Sequence, residues 1–375
     1  MQLPFDIIIS LTLSFLIVYL IIPKIIKVSN IKKLFDVPNH RSAAKHVVPT
    51  LGGIAILAGF SISTIVASNS LNINELKQMF AAVIAMFLIG LRDDLIGLSA
   101  KKKFFVQIGV ALYLVIMGSY RFTNLHGIFG VNEIGYIVGI ILSVIAIIGI
   151  INAINLIDGI DGLASGVSIL ISVVYGFWFL NAGDVIYAIT CFSLTGSLIA
   201  FFMYNVFGKA NKIFMGDTGS LILGTIIAVL TIRFNEFIPE KGNAEQGLPA
   251  ISLAILIVPI IDTIRVFSIR IMQGKSPFTP DMNHIHHIVL KLTGNHFTSS
   301  LIIISVNALL ILLALSLISI IGNGYLFILL LITGFILAYI PSWILRFQNK
   351  RPVNSDPTKS IYALSVFTKK GKRKS

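Results

Sequence analysis

Long apolar segments, separated by short polar or charged breaks, follow one another along almost the whole chain. A helix crosses the hydrocarbon core of a bilayer with about 20 apolar residues, so this pattern predicts an all-α, polytopic integral membrane protein with about eleven transmembrane helices. The segments lie at residues 5–28, 51–68, 76–91, 103–119, 134–151, 163–181, 185–204, 219–232, 249–269, 299–320 and 325–345. The first has neither a basic start nor a small-residue cleavage site, so we interpret it as a span and not as a signal peptide.

The composition supports this class and excludes others. Of the 375 residues, 56% are hydrophobic and 12% are charged, and the mean hydropathy is +0.92. A globular protein has roughly 25% charged residues, and a soluble core cannot bury so much apolar surface. The single cysteine, Cys191, excludes a disulfide framework and a cysteine-based metal site.

The basic residues predict the orientation, because cytoplasmic loops carry an excess of Lys and Arg. With the N-terminus outside, 25 of the 29 Lys and Arg residues fall on one side of the membrane. Only Lys77, Arg121, Arg233 and Lys241 fall on the other. We therefore expect a cytoplasmic C-terminus. Topology accounts for the net charge of +13, and we expect no nucleic-acid partner.

We expect one domain and a tail. Residues 1–348 form a single transmembrane domain with cytoplasmic active-site loops, since no connection is long enough for a soluble domain. Residues 349–375 end in KKGKRKS and predict a disordered, basic cytoplasmic tail. A retention and orientation signal is the simpler interpretation of this tail, and binding to anionic lipid is the alternative.

Acidic residues are costly at membrane depth and are usually functional there. Nine of the 16 acidic residues fall on the cytoplasmic side, and all nine are aspartates: Asp36, Asp93, Asp94, Asp158, Asp161, Asp217, Asp262, Asp281 and Asp356. Most of them lie at the ends of spans, which predicts a shared site on that face.

The first cluster, GLRDDLIGLSAKKKF, ends the third span with Asp93 and Asp94. Adjacent helical residues point about 100° apart. The two carboxylates therefore have different tasks, one as a base or metal ligand and the other in orienting a neighbour. Lys101, Lys102 and Lys103 suit phosphate binding. The orientation rule alone explains these lysines, but it gives no reason for the aspartate pair.

The second cluster is INAINLIDGIDGLASG. Asn152, Asn155, Asp158 and Asp161 recur at steps of three residues, so at a helical end they share one face. Amide and carboxylate oxygens are ligands for Mg²⁺ or acceptors for a base and ribose. The alternative, in which these groups only cross-link neighbouring spans, is less favoured.

The third cluster, KIFMGDTGSLILG, has Asp217 between small residues at the start of a span. A helix N-terminus favours phosphate, and a carboxylate beside it suits a bridging Mg²⁺. The segment is not a Walker loop, because no Gly-Lys-Ser/Thr follows.

The fourth cluster runs from Asp262 through Arg265, Arg270 and Asp281 to the histidines His284, His286 and His287. Histidine spacings of two and one are poor for a tetrahedral zinc site, and no thiolate helps. We favour contacts of these side chains with a diphosphate or a sugar.

The tandem DD, the N-x-x-N-x-x-D-G-x-D-G-L signature, the G-D-T-G-S segment and the H-I-H-H loop occur in this order. With the segment PTLGG at Pro49–Gly53, they resemble the polyprenyl-phosphate N-acetylhexosamine-1-phosphate transferase superfamily over roughly residues 30–300. The H-I-H-H form is most similar to the bacterial undecaprenyl-phosphate GlcNAc-1-phosphate transferases.

The resemblance implies transfer of a sugar-1-phosphate, GlcNAc-1-phosphate in the favoured case, from a UDP-sugar to undecaprenyl phosphate with release of UMP. It implies Mg²⁺ as the cofactor, with Mn²⁺ as the alternative. The expected location is the bacterial inner (plasma) membrane, with the active site facing the cytoplasm. The apolar surface is also compatible with a homodimer.

The resemblance also implies roles for individual residues. Asp217 and Asn155 are expected to bind Mg²⁺. Asp93 is the expected base for the attacking lipid phosphate, or its orienting group, and Asp94 supports it. Lys103 is expected to hold that phosphate, with assistance from Lys45.

The remaining candidates are expected to bind the donor. Asn152, Asp158 and Asp161 are assigned to the nucleotide part of the pocket. Arg265, His284, His286 and His287 are assigned to the diphosphate or the sugar.

Three alternatives stay open at this point. The sugar could be MurNAc-pentapeptide, as in peptidoglycan synthesis, or a deoxy-aminosugar such as FucNAc. The reaction could be a one-step attack or a covalent aspartyl route. From another class, a transporter also has many spans and buried charges, but here the acids gather at one interface and no inverted repeat is visible.

Overall fold

A computed structural model describes residues 3–36, 48–68, 71–239, 248–276 and 281–350, and these are almost entirely helical. The helices are α1 (Leu3–Lys32), α2 (Gly52–Ala67), α3 (Lys77–Ile96), α4 (Ala100–Ile116), α5 (Tyr136–Ile157), α6 (Leu163–Ala182), α7 (Val185–Phe207), α8 (Gly216–Glu236), α9 (Pro249–Ile255), α10 (Ile257–Met272), α11 (Ile285–Thr293), α12 (His296–Ile321) and α13 (Asn323–Lys350). Two antiparallel pairs complete the fold, β1 (Phe35–Asp36) with β2 (Val48–Pro49) and β3 (Asn124–Ile128) with β4 (Val131–Glu133).

Every apolar segment predicted from the sequence falls on a helix, and the polytopic membrane class is confirmed. Within the described residues, seven helices are long and apolar enough to span a bilayer: α1, α5, α6, α7, α8, α12 and α13. The bent pair α9 and α10 brings the number to eight if it counts as one span. The helices α2 and α4 are shorter, and α3 carries Arg92, Asp93 and Asp94 in its last turns. The count of eleven and the orientation therefore stay predictions.

The centre of the bundle is α8. In its most apolar 18-residue stretch 89% of the residues are buried, against 17% for α13 at the periphery. The mean hydropathy of this stretch is the lowest of the seven, 1.5 against 2.2 for the corresponding stretch of α13. A helix surrounded by protein needs less hydrophobicity than one surrounded by lipid, and small residues let its neighbours approach closely.

Two glycines bring α2 and α3 against the beginning of α8. A Cβ added at Gly53 would overlap the backbone of Gly219. A Cβ added at Gly90 would lie 2.6 Å from Thr218 Cα. Because both obstacles are backbone, only glycine allows these approaches. The start of α8 is thereby held between two other helices.

The single span predicted at residues 249–269 is broken. The helices α9 and α10 meet at Leu256 with a bend of 79°. Pro259 lies in the first turn of α10, where its missing N–H is not needed for a helical hydrogen bond. The buried face of α10 carries Asp262, Arg265 and Arg270. The bend therefore turns a charged helical face toward the protein interior at one end of the bundle.

At the other end, polar contacts join the connections after α2, α4, α6 and α8. Arg233 Nε lies 2.8 Å from Asp184 Oδ2, and the hydroxyl groups of Tyr120 and Tyr187 lie 2.7 Å apart. The β3–β4 hairpin lies at this end, between α4 and α5. This network closes the bundle on the side opposite to the predicted site.

Candidate active site

Charged and amide residues from four separate parts of the chain meet at one end of the bundle. Asp93 and Asp94 lie in the last turn of α3, and Lys103 lies near the start of α4. Asn155 ends α5 and Asp217 begins α8. These helices pack against one another as the pairs α3–α8, α3–α4, α4–α5 and α5–α8, so their ends converge. The structure thus brings together five of the residues predicted from the sequence.

Lys103 bridges two of the carboxylates. Its Nζ lies 2.5 Å from Asp93 Oδ2 and 2.9 Å from Asp217 Oδ2. The backbone N–H of Leu98 donates to Asp93 Oδ1 at 2.5 Å, which fixes this carboxylate in the turn after α3. One ammonium group is therefore shared between two acids.

Asp94 has a different task from Asp93. Its carboxylate accepts hydrogen bonds from the N–H groups of Asp217 (2.8 Å) and Thr218 (2.9 Å) and from the Thr218 hydroxyl (2.5 Å). The first N–H groups of a helix have no partner within the helix. Asp94 supplies this partner from a neighbouring helix, so it caps α8 and fixes the backbone of Asp217.

Asn155 connects α5 to the same helix start. Its side-chain N–H₂ donates to Asp217 Oδ1 (2.5 Å) and to Ser220 Oγ (2.8 Å). No donor among the described residues contacts its amide oxygen. That oxygen is therefore free to bind a ligand, while the amide nitrogen holds the Asp217 carboxylate.

Asn152 lies one turn earlier and contacts α4 instead. Its side-chain N–H₂ donates to Gln107 Oε1 (2.7 Å) and to the carbonyl of Ile148 (2.8 Å). The structure therefore shows Asn152 holding α5 against α4, and its predicted contact with substrate stays a prediction.

The turn 158–162, between α5 and α6, carries the two other aspartates of this motif. Burial, together with the charges of Asp217, Asp94 and Asp161, raises the pKa of Asp158 to about 7. Burial alone would also raise the pKa of Asp161, but hydrogen bonds from His296 and Lys212 hold it below its usual value. The two aspartates therefore have different electrostatic surroundings, and of the two only Asp161 is paired with a lysine.

The loop between α10 and α11 is organised around the buried carboxylate of Asp262. The backbone N–H of Ile285 donates to its Oδ1 at 2.8 Å. The Nδ1 atoms of His284 and His286 lie 3.1 and 3.5 Å from its Oδ2. The sequence pattern grouped the histidines with one another, and the structure adds Asp262 as their common partner.

Both arginines of this region hold the same loop. Arg265 donates to the carbonyl of Asn283 (2.7 Å) and to Ser342 Oγ on α13 (2.9 Å). Arg270 Nε lies 2.9 Å from Asp281 Oδ2. Both guanidinium groups are buried, so their contacts give the loop a defined shape.

The ligand atoms of Asp262, His284 and His286 lie within 4.8 Å of one another, so by distance this group could hold a metal ion. The protons favour another arrangement. Arg270 lies 3.4 Å from His284 Nε2, and a guanidinium only donates, so Nε2 accepts. The ring proton of His284 is then on Nδ1 and points at Asp262. We therefore interpret Asp262, His284 and Arg270 as a hydrogen-bonded network, against which the His286 ring is stacked.

The imidazoles of His286 and His287 lie beside this network and are neutral. Burial lowers the pKa of His286, and burial with the neighbouring histidines lowers that of His287 to about 4. No hydrogen-bond partner for the ring nitrogens of His286 occurs among the described residues. A Cβ at Gly159 would overlap its Nε2, so this ring lies directly against the turn 158–162.

The donor set around Asp217 fits magnesium. Carboxylate and amide oxygens are the hard ligands that Mg²⁺ prefers, and Asp217, Asn155 and Asp93 offer them at one place. The Asp262 group offers two imidazoles instead, which suit softer transition metals. By distance only the Asp262 group among the described residues could hold a metal ion, whereas by ligand chemistry the carboxylate cluster suits Mg²⁺ better.

Two predicted parts of the chain cannot be compared with the structure, and three residues that contact the site were not predicted. Lys45 and the tail beyond Lys350 lie outside the described residues. The sequence analysis gave no role to Gln107, Lys212 or His296. Lys212 stands five residues before Asp217 in the KIFMGD segment, and this proximity was the available signal. His296 carries no local pattern that would single it out.

The fold and the site together define a class: a multi-pass membrane protein whose acidic cluster surrounds a helix start suited to phosphate. Comparison with known proteins agrees. The family model of glycosyl transferase family 4 matches residues 76–235. That range includes the carboxylate cluster, Lys103, Asn155 and the turn 158–162.

Curated relatives cover most of the chain, and each is an undecaprenyl-phosphate alpha-N-acetylglucosaminyl 1-phosphate transferase. The protein of Haemophilus influenzae is 30% identical over 75% of this chain and 79% of its own length. The proteins of Yersinia pestis and Escherichia coli K12 are each 28% identical, over 83% and 71% of this chain and 80% and 71% of their own lengths. The chain belongs to glycosyl transferase family 4 and is a membrane-embedded phosphotransferase.

Proposed function

We propose that this protein transfers N-acetylglucosamine 1-phosphate from UDP-N-acetylglucosamine to undecaprenyl phosphate and releases UMP. The observation that carries the proposal is the convergence of Asp93, Asp94, Lys103, Asn155 and Asp217 at one end of the bundle. The names of the relatives support the acceptor and the sugar. A lipid acceptor also explains why the enzyme is built from apolar helices.

The reaction exchanges one phosphorus–oxygen bond for another. An oxygen of the undecaprenyl phosphate attacks the β-phosphorus of the donor. The bond from that phosphorus to the bridging oxygen breaks, and UMP leaves with the oxygen and its electron pair. Phosphoryl transfer depends mainly on positioning and on compensation of negative charge. The ammonium of Lys103 supplies one positive charge, and the two acids about it would hold the cation that supplies the rest.

Asp217 and Asn155 would hold Mg²⁺, with Asp93 beside them. When bound, this ion supplies compensation for the charge on the diphosphate. Asp94 keeps Asp217 in place by capping α8. Lys103 would hold the phosphate of the acceptor lipid, and Asp93 would orient that phosphate and accept a proton from it. Asp93, fixed by the N–H of Leu98, is well ordered for this role.

The donor would lie between the carboxylate cluster and the loop between α10 and α11. The charges of Asp217 and Asp94 contribute to the raised pKa of Asp158, so Asp158 lies near the cluster. His286 packs against the next residue, Gly159. Neutral imidazoles at His286 and His287 can donate to, or accept from, sugar hydroxyl and amide groups. Arg265 and Arg270 would act by shaping this loop, because their contacts are with the protein itself.

The active site would face the cytoplasm of a bacterial cell, where UDP-sugars are made. All the residues of the cluster lie at the end of the bundle that carries most of the Lys and Arg residues that the structure describes. That end also has the exposed residues Lys101 and Lys102, which attract an anionic donor and anionic lipid headgroups.

The test is UMP release by purified protein with undecaprenyl phosphate, Mg²⁺ and either UDP-N-acetylglucosamine or UDP-MurNAc-pentapeptide. We expect UMP only with lipid, metal and the first donor. EDTA, omission of lipid and the Asp217→Asn variant are the controls, and each should abolish release. Activity with the pentapeptide donor alone would refute the sugar assignment. Full Mg²⁺-dependent turnover by Asp217→Asn would refute the metal assignment.

A further inference from the structure

The turn 158–162 places Asp158 near the carboxylate cluster, but the residues that hold this turn lie outside the cluster. Asp161 Oδ2 lies 2.6 Å from Lys212 Nζ and 3.1 Å from His296 Nδ1. Lys212 precedes α8 and His296 begins α12. One carboxylate oxygen therefore joins three parts of the chain that are distant in sequence.

The backbone of the turn is held by the same surroundings. Ser300 Oγ on α12 donates to the carbonyl of Asp161 at 2.8 Å. Asn205 on α7 accepts from the N–H of Gly162 at 2.7 Å and donates to the carbonyl of Ile213 at 2.9 Å. The turn thus contacts the segment 212–215 twice, through Lys212 and through Asn205.

The segment 212–215 leads directly to Asp217, the proposed magnesium ligand. Phe214 N donates to Pro49 O (2.8 Å), and Gly52 N donates to Phe214 O (3.0 Å), so this segment has a fixed path. Gly216 and Asp217 follow it at the start of α8. A displacement of Lys212 against Asp161 would therefore change the distance between Asp158 and Asp217.

We infer that Lys212 and His296 are positioning residues of the transferase, which act through Asp161 to hold the turn 158–162 against the segment that ends at Asp217. We name these three residues the Asp161 clamp. The clamp rests on the proposed function, and it gives Asp161 a task other than contact with the nucleotide.

The contrast between the two aspartates of the turn supports this division. The Asp161 carboxylate is paired with the ammonium of Lys212, the Asp161 backbone N–H donates to His296 Nδ1 at 3.2 Å, and only 14% of the Asp161 side chain is exposed. For Asp158, no side-chain hydrogen-bond donor occurs among the described residues. An acid with its partners in the protein is suited to fix structure, whereas an acid without them is available to a ligand.

The test compares Lys212→Met, Lys212→Arg, Asp161→Asn and His296→Gln with the wild type, as full-length protein in nanodiscs. We measure kcat and KM for UDP-N-acetylglucosamine by UMP release. Lys212→Met and Asp161→Asn should each lower kcat by roughly tenfold to a hundredfold, because small displacements of catalytic groups are costly. The KM for the donor should stay within about twofold, and Lys212→Arg should recover most of kcat.

The double variant Asp161→Asn/Lys212→Met should lose no more kcat than the worse single variant, because the pair acts as a unit. Lys209→Met, an exposed lysine of the same connection, is the matched control and should behave as wild type. If Lys212→Met does not fold, Asp161→Asn and His296→Gln give the same comparison with the wild type. A large rise in KM with unchanged kcat would overturn the inference in favour of nucleotide contact.

A wild type that releases no UMP would refute the proposed function and not the clamp. Melting temperatures of the same four proteins of the double-mutant cycle decide the clamp in that case. Coupled losses at Asp161 and Lys212 are expected, and additive losses would overturn it.

Discussion

Asp94 is adjacent to Asp93 in the sequence, but its carboxylate is used entirely at the start of α8, where it accepts three hydrogen bonds. Asp94→Asn replaces one acceptor oxygen by a donor that faces other donors. Loss of a helix cap costs about 1 kcal/mol. We therefore expect a lower melting temperature, lower turnover and a higher Mg²⁺ concentration for half-maximal activity, because Asp217 is displaced.

The matched control for Asp94 is Thr218→Ser, which keeps the hydroxyl donor to Asp94 and should retain the wild-type Mg²⁺ requirement. Titration of Mg²⁺ in the UMP-release assay measures both variants. An Asp94→Asn protein without turnover, but with unchanged melting temperature and Mg²⁺ requirement, would contradict the capping role.

Asp158 predicts a stability that depends on pH. Burial raises its pKa to about 7 in the folded protein, whereas the unfolded chain releases this proton near its ordinary value of 3.8. The folded state therefore holds the proton more tightly, and this contribution to stability is lost as the pH rises from about 4 to 7. We expect Asp158→Asn to raise the melting temperature at pH 8 by roughly 2 °C or more while it lowers turnover.

Asp281→Asn is the control of opposite sign. Burial alone would raise the pKa of Asp281, but the bonds from Arg270 and from the N–H of Asn283 lower it. Its ionised form therefore stabilises the fold above its unfolded pKa, and Asp281→Asn should melt earlier than wild type at pH 8. Thermal unfolding at pH 5 and pH 8 measures both. A lower melting temperature of Asp158→Asn at pH 8 would contradict the buried, ligand-facing position of Asp158.

At this scale the sequence indicated which residues form the site but not what each one contacts. The ordered motifs predicted Asp93, Asp94, Lys103, Asn155 and Asp217, and the structure brings them together. The capping role of Asp94 depends on how closely α3 approaches α8. The pairing of Asp161 with Lys212 and His296 joins residues that are far apart in the chain. Local spacing carries no information on either contact.

Among the helices, the approach of α3 to α8 depends on Gly90. Its missing side chain leaves room for the backbone of Asp217 and Thr218, which cannot move aside as a side chain would. Gly90→Ala should separate the two helices, weaken the cap from Asp94 and cost about 1–3 kcal/mol of stability. We expect a loss of turnover together with a lower melting temperature.

Gly109→Ala is the matched control for Gly90→Ala, because a Cβ at Gly109 on α4 would have no neighbour within 4 Å. It should retain activity and melting temperature. If Gly90→Ala behaved like Gly109→Ala, the close contact between α3 and α8 would be refuted.

The sequence predicted the helices well because each apolar segment needs only its own residues to be recognised. It did not predict the break between α9 and α10, the β3–β4 hairpin or the separate helix α11. The bend at Leu256 is stabilised by what α10 meets, namely the loop that Arg265 and Arg270 hold. A span and a bent pair of helices have similar hydropathy, so the pattern of apolar residues does not distinguish them.

For the whole molecule, the contacts support an alternating path through the membrane. Four residues from distant parts of the chain meet at one end of the bundle: Glu75, Tyr120, Asp184 and Arg233. The first three follow α2, α4 and α6, and Arg233 lies in the last turn of α8. The residues of the site meet at the other end, after α3, α5 and α7 and near the start of α4. Such alternation is expected if every apolar helix from α2 to α8 crosses the bilayer. It includes α3, whose charged last turns lower its hydropathy.

This path predicts which positions are accessible from outside the cell. The single cysteine, Cys191, is fully buried, so the wild type should give no background with a membrane-impermeant maleimide. In intact cells, Val131→Cys in the hairpin and Asn74→Cys before α3 should be labelled. Lys101→Cys after α3 and Lys209→Cys before α8 should react only after the membrane is permeabilised. All four positions are exposed in the folded protein, so reactivity reports the side of the membrane and not burial.

The four cysteine variants distinguish the ways in which the predicted topology could fail. If only Lys101→Cys and Lys209→Cys were labelled in intact cells, the orientation would be opposite to the predicted one. The site would then lie outside, away from cytoplasmic UDP-sugars. Labelling of Asn74→Cys and Lys101→Cys together would show that α3 does not cross. In that case Asp93 and Lys103 would reach the site from a helix hairpin that enters and leaves on one side. Because retained UMP release is required of each variant, every labelling pattern would describe an active enzyme.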